Sequence, residues 1–401
     1  MLFLSKTLQM FFYLVLLVAD LILWHILIRA LKGRNIVLRF AVLLLKVAVT
    51  AAFVTLFFRI VLYRGEFAEP ANAFRQIQMG VAALLLITSA GACLTVSLIG
   101  RLAGSVMKRE MKWTGITNII LFILVMLFVA DGYFRQRFDI RTVRQDVTVP
   151  GLNQALDGLT IALIGDLHLS SWHGDYDRLD EAITRVGKEK PDLVLNTGDF
   201  ITYGWQEFGM CDTILSKAAG LAGSFAVEGN HDDGTYYPTY DGRYGDLCRE
   251  MVKRSIEKSG YTLLRDTAVI ISHRGVRMAV AGVETHGHHL DMSYGDFEKV
   301  LNPLPDSLFT ILLLHDPESW LLSAVSGRIP QLSVAGHTHG FQAAIPLGIW
   351  SPASLIHERW KGLYEFKGSH LYVTSGLGTM GMAARFFMPP EIVILTLKTG
   401  R

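Results

Sequence analysis

Long apolar runs fill the first third of the chain. They lie at about 8–28, 41–63, 77–99 and 116–134. Each approaches or exceeds the ~20 apolar residues that a helix needs to cross a bilayer. The first run is not a removable signal peptide, because it is too long, no small-residue cleavage site follows it, and three more runs come after it. We therefore predict a four-span transmembrane region over residues 1–134. The alternative is a bundle of buried helices in a soluble protein.

Few polar residues interrupt these spans. Asp20 and His25 lie in the first span, and Lys46 lies near the start of the second. A carboxylate inside a membrane is by default a candidate for function. The alternative, which we favour, is structural: Asp20 pairs with His25 or Lys46 and determines how the helices pack.

Basic residues near the span ends predict the side of the membrane on which each loop lies. Loops one and three carry eight of them: Arg29, Lys32, Arg34, Arg39, Arg101, Lys108, Arg109 and Lys112. The opposite side also carries eight, but four of these, Arg135, Arg137, Arg141 and Arg144, lead into the polar part of the chain. If those four belong to the fold of that part, the remaining bias favours cytoplasmic loops one and three. The C-terminal domain is then extracytoplasmic, in a multi-pass protein of the cell membrane.

The pattern changes after residue 134. Residues 135–150 are predicted to be a charged connector, and residues 151–401 contain short apolar strands that alternate with helices. Strands are predicted near 159–165, 192–196, 224–228, 262–271, 276–283, 309–314, 332–335, 371–375 and 391–397, and helices near 177–189, 208–222, 246–259, 293–302 and 318–326. The later strands follow each other more directly than the early ones. This order indicates an α/β domain of two mixed sheets packed face to face, with helices outside.

Composition narrows the range of functions. Apolar residues make up 51% of the chain, and the mean hydropathy of +0.33 is high for a soluble protein. The net charge of +2 does not indicate a global field that attracts nucleic acid. The three cysteines, Cys93, Cys211 and Cys248, are too scattered for a disulfide framework or a zinc knuckle.

The stretch from Leu159 to His168 (LTIALIGDLH) is typical of a buried strand that ends in a turn. Open α/β sheets place chemistry just beyond the carboxyl ends of their strands. Asp166 and His168 come two residues apart, on the same side of the strand direction, and a carboxylate beside an imidazole suits a divalent metal. Taken alone, this pair is more simply a turn aspartate and a buried histidine.

Four later strands end in the same way. The metal-capable residues that follow them are Asp199; Asn230; His315; and His337 with His339. Each has an ordinary alternative as a turn residue, a helix cap or a core histidine. Five such blocks in one order are hard to explain by folding alone, and they favour a single metal site.

The series of motifs D-x-H, G-D, G-N-H-D, H and G-H-x-H closely resembles that of the calcineurin-like metallophosphoesterase superfamily, over about 159–397. The resemblance implies a four-layer α/β/β/α metallophosphoesterase sandwich, which agrees with the two-sheet reading. The tail from Ser375 to Leu397 and the four-span front resemble the membrane-associated branch of bacterial phosphodiesterases.

The resemblance also implies two divalent metal ions. One would be held by Asp166, His168, Asp199 and His339, and the other by Asp199, Asn230, His315 and His337, with Asp199 as the bridge. Nitrogen and oxygen ligands without thiolate suit Mn, Fe or Zn and do not decide among them. Such a pair of ions would bind a phosphate and activate a water for attack on it.

Three more residues receive roles from the same comparison. His231 matches the catalytic histidine of the family, which stabilises charge on the phosphate or protonates the leaving oxygen. Asp232 is a candidate to orient the His231 ring or to contact the substrate, and its alternative is an ordinary turn role. Phe341 stands where that branch usually has a second glycine, which makes it a candidate substrate contact.

Two clusters near these motifs have open interpretations. His286, His288 and His289 form an accessory metal or phosphate contact or, more simply, a solvated loop. Trp172, Tyr203, Trp205 and the aromatic stretch 236–244 either grip an apolar substrate, rest at a membrane interface, or pack within their own loops.

Three functions remain in competition. The first is an integral-membrane phosphodiesterase for a lipid-linked phosphoester or pyrophosphate, with the bilayer as partner. The second is a membrane-tethered hydrolase of soluble phosphoesters, and the third is a non-enzymatic sensor that binds phosphate. A degenerate sensor would be expected to have lost ligands, and every ligand position is filled here.

Overall fold

Four long helices form the N-terminal part of the computed structural model, which describes residues 6–109, 111–288, 291–325 and 327–400. They are α1 (Lys6–Ala30), α2 (Ile36–Val61), α3 (Pro70–Met107) and α4 (Trp113–Phe134). All four are long and apolar enough to cross a membrane, so the prediction of four long apolar helices is confirmed. They indicate membrane association.

The chain divides into two compact units. The first comprises Met1–Gly65, Arg75–Arg135 and Gly381–Ala384, and the second comprises Glu66–Phe74, Gln136–Met380 and Arg385–Arg401. The end of the loop that joins α2 to α3, and the first turn of α3, therefore belong to the second unit. Within that unit the Phe67 ring packs edge-on against the rings of Tyr203 and Tyr237.

A buried ion pair links two helices of the first unit. Lys46 Nζ lies 2.5 Å from Asp20 Oδ1, and Lys46 also donates to Thr50 Oγ1 at 2.7 Å. Thr50 Oγ1 in turn lies 3.1 Å from Asp20 Oδ1. Of the two sequence-predicted partners of Asp20, the structure selects Lys46, whereas His25 is exposed. A buried charge is tolerated when it is paired and hydrogen-bonded, and here the pair joins α1 to α2.

Two six-stranded sheets build the second unit. Sheet A has, in spatial order, β1 (Arg141–Pro150), β14 (Glu391–Gly400), β2 (Thr160–Ile164), β3 (Leu193–Asn196), β4 (Gly223–Ala226) and β5 (Thr262–Leu263). Sheet B has β12 (Gly362–Phe366), β13 (Ser369–Val373), β11 (Leu332–Ala335), β10 (Thr310–Leu313), β7 (Val276–Gly282) and β6 (Thr267–His273). A separate hairpin pairs β8 (Thr285–His288) with β9 (Asp291–Tyr294).

The central strands of both sheets are parallel. In sheet A, β2, β3, β4 and β5 run in one direction, and in sheet B the same holds for β7, β10, β11 and β13. Fully buried strands of this kind are apolar along their whole length, as in the sequence TILL of β10. Their carboxyl ends point the same way within each sheet, and this brings the following loops together at one edge.

Side-chain alternation builds four layers. One face of β2, with Ile161 and Leu163, packs against Ile311 and Leu313 of β10, so that the two sheets share a core. The other face of sheet A packs on α5 (Tyr176–Lys188), α6 (Cys211–Leu215) and α7 (Gly242–Lys258). The outer face of sheet B packs on α8 (Phe297–Leu301) and on the segment that contains α9 (Leu322–Val325). The predicted α/β/β/α sandwich is therefore the observed fold class.

Some predicted elements differ from the structure. The charged segment at 135–150 contains a short 3-10 helix (Gln136–Phe138) and β1, which is an edge strand and not a connector. Val147 and Val149 are the buried positions of β1. Charged residues are frequent on exposed edge strands, so the apolar pattern that identifies a strand is weak in this segment. The helix predicted at 208–222 is shortened to α6, since the backbone at Gly209 leaves the helical region with φ +49° and ψ −116°.

Candidate metal centre

The seven sequence-predicted ligands lie on loops that leave the carboxyl ends of five parallel strands. They are Asp166 and His168 after β2, Asp199 after β3, Asn230 after β4, His315 after β10, and His337 with His339 after β11. Six of them are buried, and His337 is partly buried. The structure brings all seven together, although they come from both sheets.

Four of these side chains form a first group. His168 Nε2 lies 3.0 Å from His339 Nε2 and 3.5 Å from Asp199 Oδ2. His339 Nε2 lies 3.8 Å from Asp166 Oδ1. Two imidazole nitrogens that face each other at this distance cannot both be protonated without repulsion. A cation between them satisfies both lone pairs and the carboxylates at once.

The second group shares Asp199 with the first. His315 Nε2 lies 3.3 Å from Asp199 Oδ2 and 3.0 Å from Asn230 Oδ1. His337 Nδ1 lies 3.2 Å from His315 Nε2. Because the same carboxylate oxygen of Asp199 borders both groups, this residue has the position that a bridging ligand requires.

Hydrogen bonds outside the cluster orient its histidines. His315 Nδ1 lies 2.8 Å from the carbonyl oxygen of Thr197 and donates to it. His168 Nδ1 lies 3.2 Å from Thr202 Oγ1. These bonds fix the orientation of each ring, so that the other ring nitrogen, Nε2, faces the cluster.

The electrostatics of the protein alone also indicate a site for cations. Burial raises the pKa of the Asp166 carboxyl to about 7. Burial would lower the pKa of His315, but the Asp199 carboxylate and the neighbouring carboxylate raise it to about 10. Burial lowers the pKa of His168 to about 3 and that of His337 to about 4, which keeps both rings neutral and able to act as ligands.

Two buried polar atoms of the cluster support this assignment. Asp166 Oδ2 and His339 Nδ1 have no hydrogen-bond partner among the described residues. A buried carboxylate oxygen without a partner is destabilising. The donor set of imidazole nitrogens and carboxylate and amide oxygens therefore fits divalent metal, as the sequence predicted.

Backbone strain is concentrated at the ligands. Asp166, His168, Asp199, His337 and His339 all have positive φ, between +41° and +69°. Residues with a side chain rarely adopt this left-handed conformation, which costs of order 1–3 kcal/mol each and persists where the surroundings enforce it. Here it turns each ligand back over the end of its strand.

Glycines beside the ligands permit close approach of neighbouring loops. A Cβ atom at Gly229 would lie 2.1 Å from Asp199 Oδ1, and one at Gly336 would lie 2.5 Å from Asp166 Oδ2. Both distances are shorter than any real contact of a Cβ atom, so any larger residue would displace a ligand carboxylate. This is the physical reason for glycine at these positions.

Tyr236 is a site residue that the sequence did not single out from its aromatic stretch. Asn230 Nδ2 donates a hydrogen bond of 2.6 Å to Tyr236 Oη, which orients the amide so that its oxygen faces His315. The Tyr236 ring also stacks on the His231 ring, with centroids 3.9 Å apart and planes at 12°. Tyr236 therefore positions both a ligand and the histidine next to it.

Glu207 and Arg385 brace the ligand loops from behind. The buried Glu207 carboxylate accepts backbone N–H bonds from Ser170, Thr202 and Tyr203, and burial raises its pKa. The fully buried Arg385 donates to the carbonyl oxygens of the glycine-rich loop at 375–378. The sequence analysis gave neither residue a role, because their bonds go to backbone groups, which any residue type supplies.

The structure corrects the expectation for Asp232. Its side chain is fully buried, and its two oxygens accept the backbone N–H groups of Ile201 at 3.1 Å and Gly229 at 2.9 Å. The ring of His231 is held instead by Thr202, whose carbonyl oxygen lies 2.7 Å from His231 Nδ1. Asp232 therefore has the turn role that was its alternative, and it is not accessible to a substrate.

The remaining candidates have mixed outcomes. Phe341 directly follows the last ligand loop with φ +58° and is 46% exposed, so it is accessible. His286 and His288 lie in the β8–β9 hairpin, and the His288 ring lies 5.1 Å from that of Tyr236. Neither belongs to a metal-binding group among the described residues, and His289 lies outside those residues. The buried Trp172 and Tyr203 pack within the fold and cannot grip a substrate.

The first testable prediction concerns the shared carboxylate. Asp199→Asn removes the charge that borders both groups, so the metal content of the purified protein should fall at both. Elemental analysis by mass spectrometry measures this directly. The exposed carboxylate of Asp180, which pairs with Lys217 on the surface, provides the matched control Asp180→Asn. An Asp199→Asn protein with the full metal content of the wild type would contradict the assignment.

The second prediction concerns Tyr236. Tyr236→Phe keeps the stacked ring but removes the acceptor of the Asn230 amide, so metal affinity should drop roughly 10–100-fold, as for other residues that orient ligands. The control is Tyr237→Phe, because the neighbouring hydroxyl bonds Glu66, not a ligand. Competition with a metal-binding dye measures both affinities. Equal affinities in the two variants would show that Tyr236 does not orient Asn230.

Comparisons with known proteins agree with this geometry. The family model for calcineurin-like phosphoesterase matches residues 159–341. The chain is 30% identical over 268 residues to the uncharacterized metallophosphoesterase YkuE of Bacillus subtilis (strain 168), covering 65% of this chain and 86% of that protein. It is 27% identical to the phosphodiesterase YaeI of Escherichia coli (strain K12), covering 59% and 81%. It is 26% identical to a transmembrane protein with metallophosphoesterase domain of Danio rerio, covering 70% and 62%. This protein, with its buried Asp/His cluster and its membrane-type helices, therefore belongs to the calcineurin-like phosphoesterase family.

Proposed function

We propose that this protein is an integral-membrane phosphodiesterase with a dinuclear metal centre, and that its substrate is a lipid-linked phosphoester. The observation that carries the proposal is the pair of ligand groups that share Asp199 Oδ2. All seven ligands and His231 are present, which disfavours a phosphate-binding sensor without activity.

The proposed ligand assignment follows the two groups. Asp166, His168, Asp199 and His339 hold one ion, and Asp199, Asn230, His315 and His337 hold the other. Two divalent ions, Mn, Fe or Zn, supply Lewis-acid polarisation of the phosphate and an activated nucleophile when bound.

His231 is proposed as the catalytic side chain. It lies beside the first ligand group, with its ring 5.0 Å from that of His168, yet it is not needed as a ligand. Its Nδ1 donates to the Thr202 carbonyl oxygen and its ring stacks on Tyr236. Both contacts hold the ring in one orientation. Nε2 is then the atom that can bond a phosphate oxygen or deliver a proton to the leaving oxygen.

The third prediction tests this role. His231→Gln should keep the metal content but reduce turnover of a phosphodiester by roughly 10²–10⁴-fold, as for loss of a proton-transfer group. Metal analysis and steady-state kinetics on the same preparation give both quantities. Loss of metal together with activity would identify His231 as a ligand or a structural residue instead.

The preference for a lipid-linked substrate rests on an exposed apolar segment. Residues 341–356, which we call the apolar loop, begin two residues after His339. Leu347, Ile349 and Leu355 in this loop are 91%, 72% and 75% exposed. Contiguous exposed apolar surface of this kind is typical of binding sites for lipids, membranes or other proteins.

Hydrogen bonds connect the apolar loop to the ligand loop. Ser351 Oγ donates to the carbonyl oxygen of Gly340 at 2.7 Å, which joins the two loops. Within the apolar loop, Ile345 N donates to the carbonyl oxygen of Trp350 at 2.9 Å. The loop is therefore held beside His339, and Phe341 continues its apolar surface toward the ligands. An apolar substrate tail on this loop leaves the attached phosphate near the ligand groups.

We also propose that the catalytic domain lies on the extracytoplasmic side of the membrane. Loops one and three carry the basic excess, which favours a cytoplasmic position for them. The end of the loop between α2 and α3, at 66–69, packs as part of the catalytic unit through Phe67. Both observations support an extracytoplasmic catalytic domain on the side of that loop.

The fourth prediction separates lipid-linked from soluble substrates. The full-length protein in mixed micelles should show a higher kcat/KM for a lipid-linked phosphodiester than for a water-soluble diester with the same leaving group. The double variant Leu347→Ser with Ile349→Ser should lose roughly 10–100-fold on the lipid substrate only. Full burial of one side chain of this size contributes about 1.5–3 kcal/mol, so two side chains that the lipid covers by half contribute about that much together.

A matched control is available on the opposite edge of sheet A. Leu221 is 76% exposed and lies two residues before β4, at the amino end of the strand, so Leu221→Ser removes a comparable apolar side chain at the end opposite to the ligand loops. It should leave both reactions unchanged. A wild-type preference for the soluble diester, or equal losses on both substrates, would favour the second candidate function, a tethered hydrolase of soluble phosphoesters.

A further inference from the structure

The four-helix unit contains a large cavity that the proposed function does not use. Its volume is about 1290 Å³, larger than the roughly 300–1,000 Å³ of a typical small-molecule site. The walls are the C-terminal parts of α1 and α3, the start of α4, and the two loops that join α1 to α2 and α3 to α4. These loops are far apart in sequence, and the helix packing brings them to one end of the bundle.

Six cationic side chains line this cavity. They are Arg29, Lys32, Arg34, Arg101, Arg109 and Lys112. No aspartate or glutamate lines it, and none of the six cations forms an ion pair with a carboxylate within the described ranges. Glu110 lies outside those ranges. Six like charges around one space repel each other, so an anion there is electrostatically stabilised.

Small residues create the space between the helices. A Cβ atom at Gly100 would lie 2.0 Å from Thr114 Cγ2, and one at Gly115 would lie 3.3 Å from the carbonyl oxygen of Ala30. The helices therefore approach closely at these two glycines, which line the cavity themselves. Such small-residue contacts are characteristic of helices packed within membranes.

A buried amide supplies a second, independent observation. Asn118 lines the cavity and is only 3% exposed. Its Nδ2 donates to Ser97 Oγ at 2.8 Å, whereas its Oδ1 has no hydrogen-bond partner in the described part of the chain. A buried acceptor of this kind is satisfied by a hydroxyl or a water. A ligand with a phosphate and neighbouring hydroxyl groups meets both the cations and this amide.

We propose that this cavity binds the headgroup of an anionic phospholipid through its phosphate. Arginine and lysine bind phosphate oxygens by charge-assisted hydrogen bonds, and arginine does so in a bidentate manner. Basic pockets between membrane helices on the cytoplasmic side accept anionic headgroups. The cavity lies among the loops whose basic residues favour that side.

Free phosphate shares the recognised chemistry, but two features favour the lipid. The cavity is much larger than a phosphate ion, and its wall includes the apolar side chains of Leu21, Ile22 and Leu94. Leu21 and Leu94 are 58% and 51% exposed on the helix surfaces, where acyl chains can pack against them.

The experiment uses the full-length protein in a neutral detergent, titrated with dioleoyl phosphatidylglycerol or with dioleoyl phosphatidylcholine. Native mass spectrometry counts the bound lipid. Phosphatidylglycerol should bind and phosphatidylcholine should not compete with it. Each cation at a membrane surface contributes about 1 kcal/mol, or roughly a fivefold change in affinity. The double variant Arg29→Gln with Arg101→Gln should therefore weaken binding roughly 30-fold, and Arg101→Gln alone roughly fivefold.

The matched control removes the same number of charges close to the same two loops. Arg39 lies near the start of α2 and Lys108 directly follows α3, but neither lines the cavity, so Arg39→Gln with Lys108→Gln should change the affinity by less than about twofold. Unchanged metal content in every variant verifies that the chain is folded. Equal losses in the two double variants, equal binding of both lipids, or displacement of the lipid by equimolar inorganic phosphate would each overturn the proposal.

Discussion

The carboxylate of Asp199 is the centre on which the catalytic unit depends. One of its oxygens lies within 3.5 Å of His168 Nε2 and 3.3 Å of His315 Nε2, which belong to different sheets. In the protein alone, burial would raise the pKa of this group, but the neighbouring His315 and His231 side chains hold it well below its usual range. A charged carboxylate in the core is stable only with opposite charge beside it. The charge and burial of the protein groups alone therefore favour cations at this cluster.

Other parts of the unit hold this arrangement in place. Five ligands have left-handed backbone conformations that are unfavourable in isolation. Buried groups outside the cluster stabilise these conformations. The Glu207 carboxylate accepts hydrogen bonds from backbone N–H groups of the loop after Asp199. Arg385 donates to carbonyl oxygens of the loop that packs against Asp166. The rigid shared core of the two sheets supports both. The geometry of the ligands thus depends on many contacts made by residues outside the sequence motifs.

Each of the two units contains charged groups that are paired within the protein and others that are not. Asp20 and Lys46 neutralise each other inside the four-helix unit, so they join α1 to α2 and leave no net charge there. The cations that line the large cavity are mostly exposed and have no such partner among the described residues, and this difference from the buried pair supports the anion site that we propose there. The same distinction separates the ligand cluster, where Asp166 Oδ2 lacks a protein partner, from Asp232, whose two oxygens are both satisfied by backbone N–H groups.

The sequence by itself determined the features that depend on local pattern. Four apolar runs became four long helices, and the buried strands 160–164, 193–196 and 332–335 were placed within a residue or two, because continuous apolar character is a local property. The ligand residues were identifiable since each directly follows such a strand. Tertiary structure decided the rest. The edge strand β1 pairs with a strand about 250 residues later in the chain, so its few buried positions were no guide. The basic cavity exists only where distant segments meet. Tyr236, Glu207 and Arg385 act through hydrogen bonds that form only when their loops fold back on themselves. Asp232 was adjacent to His231 in sequence, yet the turn directs its side chain into the backbone of two loops. Such outcomes are set by packing across the fold, which no local window of sequence contains.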